Sequence, residues 1–383
     1  MKIAIRREPI DGEKRVAATP AAVAQYVAAG FAVTVQNGAG VNAGYADAAY
    51  TEAGAELASS IPLASTQVLV HVRPLDAETI AALPSGAITI GFASPASELD
   101  GVEALAARGI TAFSLELIPR ISRARSMDAL TSQALVAGYR CVLEAAMRFP
   151  RFLPLYMTAA GTIPPARVLV LGAGVAGLQA IATAKSLGAR VSAYDVRSAS
   201  ADEVQSMGGT FIHLELDAAA DAAGGYAKEL AADRADRQRE LLAPYIAESD
   251  IIITTAAIPG RPAPRLVTTS MLTGMTAGSI IVDLAAETGG NVEGAVPGDV
   301  VVVPVAGGAV TIVGMKDAAS TMPFDASRLL GQNIANFVAL MTRDGMLVPD
   351  FDDEVVAGAC LTHEGAVRHE PTAAAIVDRK GGN

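Results

Sequence analysis

The chain reads as an α/β protein built from two doubly wound parallel-sheet (Rossmann-like) domains, the first completed by the C-terminal segment. Three observations predict this. Short apolar runs rich in Ala and Val alternate with Ala-rich amphipathic stretches, the pattern of a buried parallel sheet covered by helices. The length of 383 residues suits two domains of ordinary size rather than one. From Val168 to Leu178 an apolar strand turns through Gly172, Gly174 and Gly177 into a helix, and Asp195 ends the next strand 18 positions after the last of those glycines.

The elements follow in order. Lys2 to Ile5 is a first strand; Thr19 is an N-cap with Pro20 at the first helical position, and the helix stops at Gly30 before a strand from Ala32 to Gln36. Further strands are expected at Gln67 to Val72, Ala87 to Ile90 and Ile110 to Ser114, with a helix ending at Gly109 between the last two. Asp128 to Met147 is continuously helical in character and links the first domain to the second, before Pro164-Pro165 resets the chain. The second domain continues with strands near Val191 to Tyr194, Thr210 to Ile212, Ile251 to Thr254 and Ser279 to Asp283. A polar insert from His213 to Arg239 is too long for an ordinary connection, and its Gly224-Gly225-Tyr226 suggests a mobile flap. After Met322-Pro323 a helix carrying Leu330, Ile334, Phe337 and Met341, capped by Gly345, returns to the first domain, and the polar tail beyond His363 is expected to fray. The domains are therefore residues 1–133 with 320–383, and residues 134–319.

The glycine loop points to a dinucleotide. Its first glycine allows a tight turn, the second lets backbone approach a pyrophosphate, and the third lets helix and strand pack closely. Val175 and Ala176 open the helix, whose positive end faces the diphosphate. Asp195 can accept from both ribose hydroxyls and repels a 2'-phosphate, which favours NAD over NADP; Arg197 pulls the other way, since an arginine there accommodates a phosphate. The bland alternative is a strand-end Asp capping a turn, and the loop upstream outweighs it.

Composition narrows the rest. A net charge of -11 and a pI near 4.9 disfavour nucleic acid as a partner. Cys141 and Cys360 are too few for a disulfide framework or structural zinc, and point to a reducing compartment. The N-terminus lacks the pattern of a signal peptide. Two uncharged runs, Val168 to Ala184 and Val300 to Met315, fall short of about 20 residues and are broken by Gly or Pro, so they read as strand and turn. Arg15 and Glu13 follow the first strand, where a crevice is expected, though a salt bridge explains them equally well. His71 ends a strand and is the one histidine placed for acid-base work, but a structural role is favoured. His213, His363 and His369 show no metal-ligand spacing. Arg120 to Asp128 is a charged loop that either faces water or contacts a charged ligand.

Long stretches then match a known family. Gly172 to Lys185, Arg120 to Asp128, Ala160 to Pro165, Gly224 to Lys228 and Val282 to Gly290 closely resemble the NAD(H)-binding part of the alpha subunit of proton-translocating nicotinamide nucleotide transhydrogenase. The likeness runs from Ile3 to about Leu361. It implies direct hydride transfer between NAD(H) on this chain and NADP(H) on a partner domain. By position it assigns Asp195, Val196 and Arg197 to the adenosine, Gly174 to Gly177 to the pyrophosphate, and Gly225-Tyr226 to a loop closing over nucleotide. Gln238 and Ala257 would line the same site, and Arg120, Asp128 and Thr131 the nicotinamide end. Arg125 stands where the family usually has a glutamine that reaches toward the other nucleotide.

In the related alanine dehydrogenases a lysine and a histidine serve the substrate, and here Arg73 and Gly91 occupy those places. The resemblance also implies a peripheral, cytoplasmic-face subunit, dimeric, docking on a separate membrane-spanning stretch of the alpha subunit and on a beta subunit that carries the NADP-binding domain. Two alternatives remain open. An alanine-dehydrogenase-like enzyme would use Arg15 and His71 on an amino acid, and a non-catalytic module would sense NAD without hydride transfer.

Overall fold

Backbone contacts divide the chain into two units, Met1–Gln133 with Ala319–Asn383, and Ala134–Ala318. The computed structural model describes residues 1–215, 232–258 and 261–381. In the first unit six strands lie parallel: β1 (Lys2–Ile5), β2 (Ala32–Gln36), β3 (Glu56–Ala58), β4 (Val68–Val70), β5 (Ile88–Gly91) and β6 (Thr111–Ser114). Their order is β6-β5-β4-β1-β2-β3, so the chain starts in the middle and winds outward both ways. The antiparallel pair Cys360–His363 and Ala366–Val367 extends the β6 edge. Val68, Leu69 and Val70 are all fully buried, as a parallel strand covered on both faces requires.

Helix Pro20–Ala28 begins where its cap predicts: Thr19 accepts the N–H of Ala22, and Pro20 occupies the first turn. Helix Pro323–Leu340 packs Leu330, Ile334 and Phe337 into the same core as β1 and β4. Two expectations fail here. Met341, not Gly345, closes that helix; Gly345 sits in the turn of a small hairpin, Thr342–Arg343 with Met346–Leu347. The tail beyond His363 is folded, with a strand at Ala366–Val367 and a helix at Glu370–Gly381. Only a narrow stripe, Thr372 and Ile376, faces inward, while Arg379 pairs with Asp100 and Glu103 at the surface, so the composition reads as polar.

The second unit orders its strands Thr210–Phe211, Arg190–Tyr194, Arg167–Leu171, Ile251–Thr254, Ile280–Asp283, Gly308–Gly314, Val300–Val305, all parallel except the last. The uncharged run near Val300 is thus a hairpin, with Pro304 on the edge strand, where a missing N–H is tolerated. The polar insert ends earlier than Arg239, because Ala232–Ala247 is helix. Gln238, Leu242 and Ile246 form its buried stripe at four-residue spacing while Arg237 and Glu240 face water. The expected flap at Gly224-Gly225-Tyr226 lies outside the described residues. Helix Ala129–Arg148 carries the chain from the first unit into the second. No helix among the described residues is long and apolar enough to cross a membrane.

Candidate nucleotide site

Strands Arg190–Tyr194, Arg167–Leu171 and Ile251–Thr254 end level, since Tyr194 and Thr254 both stand opposite Leu171. The winding direction reverses between the last two, which is where doubly wound sheets open a crevice. Past Leu171 the chain turns at Gly172 with φ +101, and a Cβ there would come within 2.9 Å of the Ala256 nitrogen. Gly177 lies in the first turn of helix Val175–Ser186, where a Cβ would sit 1.8 Å from the Gly172 carbonyl oxygen.

Gly174 is different. It is the exposed N-cap of that helix, no side chain among the described residues takes the first-turn N–H groups, and a Cβ added to it would meet nothing within 4 Å. Among the described residues the N–H groups of Val175 and Ala176, at the positive end of a twelve-residue helix, have no hydrogen-bond partner. A helix terminus of this kind favours an anion, and the residues present fit a diphosphate.

Asp195 lies beside this loop with its side chain only 8% exposed. The N–H of Ala173 donates to its Oδ2 at 2.7 Å and the N–H of Arg197 to its Oδ1 at 2.9 Å. The Arg197 guanidinium closes over the same carboxylate, Nε to Oδ1 at 3.0 Å and Nη2 to Oδ2 at 3.1 Å. That pairing raises the pKa of Arg197 further. Val196 is half-buried against the apolar cluster containing Leu171 and Tyr194. Ala257 is exposed on the loop after Ile251–Thr254, and Gln238 is buried on its helix.

Two polar residues that sequence reasoning missed organise this edge. Asn291, fully buried, donates from Nδ2 to the carbonyls of Ala256 and Pro264, both at 2.8 Å, fixing the loop that carries Ala257. Asp283 accepts the Thr254 hydroxyl and the Ala285 N–H at Oδ1 and the Val292 N–H at Oδ2. Burial pushes its carboxyl up, against the pull of those hydrogen bonds. A polar residue ending an all-apolar strand was the available signal for Asp283.

In the first unit Asp128 caps helix Ala129–Arg148. Its Oδ1 accepts the Thr131 N–H at 2.9 Å and its Oδ2 the Thr131 hydroxyl at 2.6 Å. The structure thus brings these two together, while Arg120 and Arg125 are exposed and Arg123 is held by Asp353 through two bonds of 2.7 Å.

Arg15 is buried and committed. Nε and Nη2 donate to Glu13, at 2.9 and 2.7 Å, and Nη1 to Gln133 at 2.9 Å. Burial alone would raise the pKa of Glu13, but the Arg15 hydrogen bonds and charge hold it low. Arg73 adds its Nε 3.0 Å from Glu13 Oε2. His71 is buried, its Nδ1 is 2.7 Å from the Arg73 carbonyl, and desolvation lowers its pKa to about 4. A Cβ at Gly91 would lie 2.4 Å from both His71 Nδ1 and the His71 carbonyl oxygen, so no side chain fits there beside His71. Both thiols are buried, and desolvation pushes Cys141 up to about 12 and Cys360 to about 11.

A doubly wound sheet with a glycine turn, an uncapped helix N-terminus and an acidic strand end at its switch point defines a Rossmann-type protein of the dinucleotide-binding class. Comparison with known proteins carries this further. The family described as Alanine dehydrogenase/PNT matches with its N-terminal domain over residues 4–137 and its C-terminal domain over residues 141–370. The first of the separately numbered parts of the NAD(P) transhydrogenase alpha subunit of Rhodospirillum rubrum is 47% identical over 380 residues, covering 96% of this chain and 98% of that one. A crystal structure of transhydrogenase from Sinorhizobium meliloti, 42% identical, has a TM-score of 0.84 over 97% of this chain and 100% of the other. The alanine dehydrogenase of Bacillus subtilis is 30% identical over 301 residues, 76% of this chain and 72% of that one. The chain belongs to the alanine dehydrogenase/PNT family, and it is more similar to these transhydrogenases than to that alanine dehydrogenase.

Proposed function

We propose that this chain is the NAD(H)-binding subunit of a proton-translocating NAD(P) transhydrogenase and transfers hydride directly between NAD(H) and NADP(H) held on a partner domain. The observation that carries the reading is the helix terminus at Gly174 with Asp195 beside it, in a chain 47% identical over nearly its whole length to a transhydrogenase alpha-subunit chain. When bound, the nicotinamide itself supplies or accepts the hydride, so no protein group need ionise a substrate. What the chain contributes is placement. The first-turn N–H groups hold the diphosphate, Asp195 and Val196 the adenosine, and Gln238, Ala257 and the Gly225-Tyr226 segment the rest of the nucleotide. Arg120, Asp128 and Thr131 are proposed to act at the nicotinamide end, with Arg125 directed to the second nucleotide.

The alanine-dehydrogenase alternative finds less support. It needs a free Arg15 and a basic His71, and here three of the five N–H donors of Arg15 are held by Glu13 and Gln133 and His71 stays neutral above about pH 4. Partners follow from the same reading: a separate membrane-spanning alpha chain, a beta subunit bearing the NADP-binding domain, and a second copy of this chain, at the cytoplasmic face of the membrane. The exposed apolar run Met147, Phe152, Leu155, Tyr156 and Met157 supports a protein partner on the second unit.

The test is stopped-flow hydride transfer from NADH to an NADP analogue, with the chain mixed with a transhydrogenase NADP-binding domain. Fast stereospecific transfer that vanishes without that domain is expected. Tight NADH binding without transfer would support a sensor instead. NADH oxidation by pyruvate and ammonia, lost in His71→Ala, would overturn the reading in favour of a dehydrogenase.

A further inference from the structure

We propose that Arg197 is a specificity-determining residue: it fills the ribose-hydroxyl positions of Asp195 in the free chain, and so sets how strongly the site prefers a free 2'-hydroxyl to a 2'-phosphate. The inference rests on the nucleotide reading above and deepens it. A carboxylate offers about four lone-pair sites. At Asp195 four donors take them: the N–H groups of Ala173 and Arg197, and the Nε and Nη2 of Arg197. The first two belong to the backbone of the glycine loop and the strand end, and stay. An arriving ribose diol therefore gains Asp195 only by displacing the guanidinium.

The guanidinium is built to be displaced. Its side chain is 41% exposed against 8% for Asp195, and its one other acceptor among the described residues, the Ala173 carbonyl, is 3.4 Å away. Of the charged groups acting on it, Asp195 and Glu203, only Asp195 is bonded. Diol binding is thus an exchange of one set of hydrogen bonds for another, which weakens it. A 2'-phosphate meets the opposite situation. It can take the other edge of the guanidinium, Nη1 with Nη2, as its own bidentate partner while Nε and Nη2 stay on Asp195, so that the cation stands between phosphate and carboxylate. Arg197 costs NADH affinity and gives NADPH affinity, so both effects move the preference the same way.

The experiment is fluorescence titration of the full chain with NADH and with NADPH, in wild type and in Arg197→Met, which keeps the aliphatic stem. NADH is expected to bind about two- to five-fold tighter in the variant, the scale of one solvent-accessible ion pair. NADPH is expected to weaken by at least a similar factor, so the preference for NADH rises about ten-fold. The gap between the two proteins narrows as salt is raised, because salt screens the pair being displaced. Arg197→Lys keeps the cation without the fork and gives an intermediate preference. An unchanged or reduced preference, or weaker NADH binding in Arg197→Met, overturns the role of Arg197 and marks it as a loop anchor. Failure of the wild type to bind NADH at all would instead overturn the nucleotide site itself.

Discussion

Two glycines three residues apart should respond oppositely to the same added methyl. At Gly177 a Cβ would lie 1.8 Å from the Gly172 carbonyl oxygen, more than 1 Å inside any tolerated contact, so strand end and helix must separate. Overpacking of this kind costs about 3 kcal/mol, which in a unit of this size lowers Tm by about 6–12 °C. At Gly174 the methyl meets nothing within 4 Å. Alanine is a poorer N-cap than glycine but restricts the unfolded chain, and the two effects cancel to within about 1 kcal/mol. Gly174→Ala should therefore keep its Tm within about 3 °C. Its methyl does enter the space a diphosphate would fill, and losing one or two charge-assisted hydrogen bonds costs about 3 kcal/mol, roughly 100-fold in NADH affinity. Differential scanning calorimetry and NADH titration on both variants check the pair. Wild-type affinity in Gly174→Ala would show that the open space is not where the diphosphate binds. An equal Tm loss in both would refute the account of the loop.

Three further outcomes are expected. His71 refuses its proton in the folded chain down to about pH 4 but accepts it near 6.5 when unfolded, so stability falls as pH drops through that window, by up to about 3 kcal/mol. Thermal melts at pH 7 and 4.5 should show a shallower loss in His71→Asn; Glu8, whose carboxyl burial raises, works in the opposite sense in both proteins, so the difference between them isolates His71. Asp353→Ala removes the N-cap of helix Glu354–Ala359 together with the Arg123 pair and should lower stability by about 1 kcal/mol, most of it restored by Asp353→Asn, which can still cap. Met157→Asp, at a residue 78% exposed in the apolar run of the second unit, should convert the proposed dimer to monomer in light scattering with no change in Tm, and an unchanged mass would remove that run from the interface.

What could be read from the sequence was local. The strand Ala32–Gln36 emerges with its predicted ends because Gly30 breaks the helix before it, and the glycine loop declares itself because its residues lie within six positions. What escaped was information carried by a minority of residues or by distant ones. Helices Ala232–Ala247 and Glu370–Gly381 hide narrow buried stripes in charged sequence. The ribbon Tyr156–Thr158 with Gly161–Ile163 is mostly exposed and shows no core pattern. Asp195 was legible as a candidate, but its capture by Arg197 depends on side-chain conformation, and the union of Glu13 with Arg73 joins positions 60 apart.

That last union explains why two sheets of related winding have such different chemical prospects. In the first unit the loops that follow β1 and β4 are tied to each other by buried charge. Glu13 takes both Arg15 and Arg73, and Glu8 accepts the N–H groups of Val72 and Arg73 at 2.7 and 3.3 Å. A buried ion pair stripped of one partner leaves a charge that costs several kcal/mol, so recruiting Arg15 or Arg73 to a substrate would require replacing what Glu13 loses. Gly91 closes the remaining route, since His71 already fills the space any side chain there would need. In the second unit the corresponding edge carries donors without acceptors among the described residues, the first-turn N–H groups beyond Gly174. Apart from Arg6, whose buried Nε and Nη2 have no hydrogen-bond partner among the described residues, the buried polar groups of the first-unit edge are satisfied internally and gain little from a ligand, whereas N–H groups at a helix terminus do gain. On this reasoning, restoring acid-base chemistry to the first unit by Gly91→His alone should fail through misfolding of the β4–β5 edge. Pairing it with His71→Ala removes the ring but leaves the His71 carbonyl oxygen 2.4 Å from the new Cβ, so the double variant should remain destabilised relative to wild type, and a circular dichroism melt of both variants against wild type checks this.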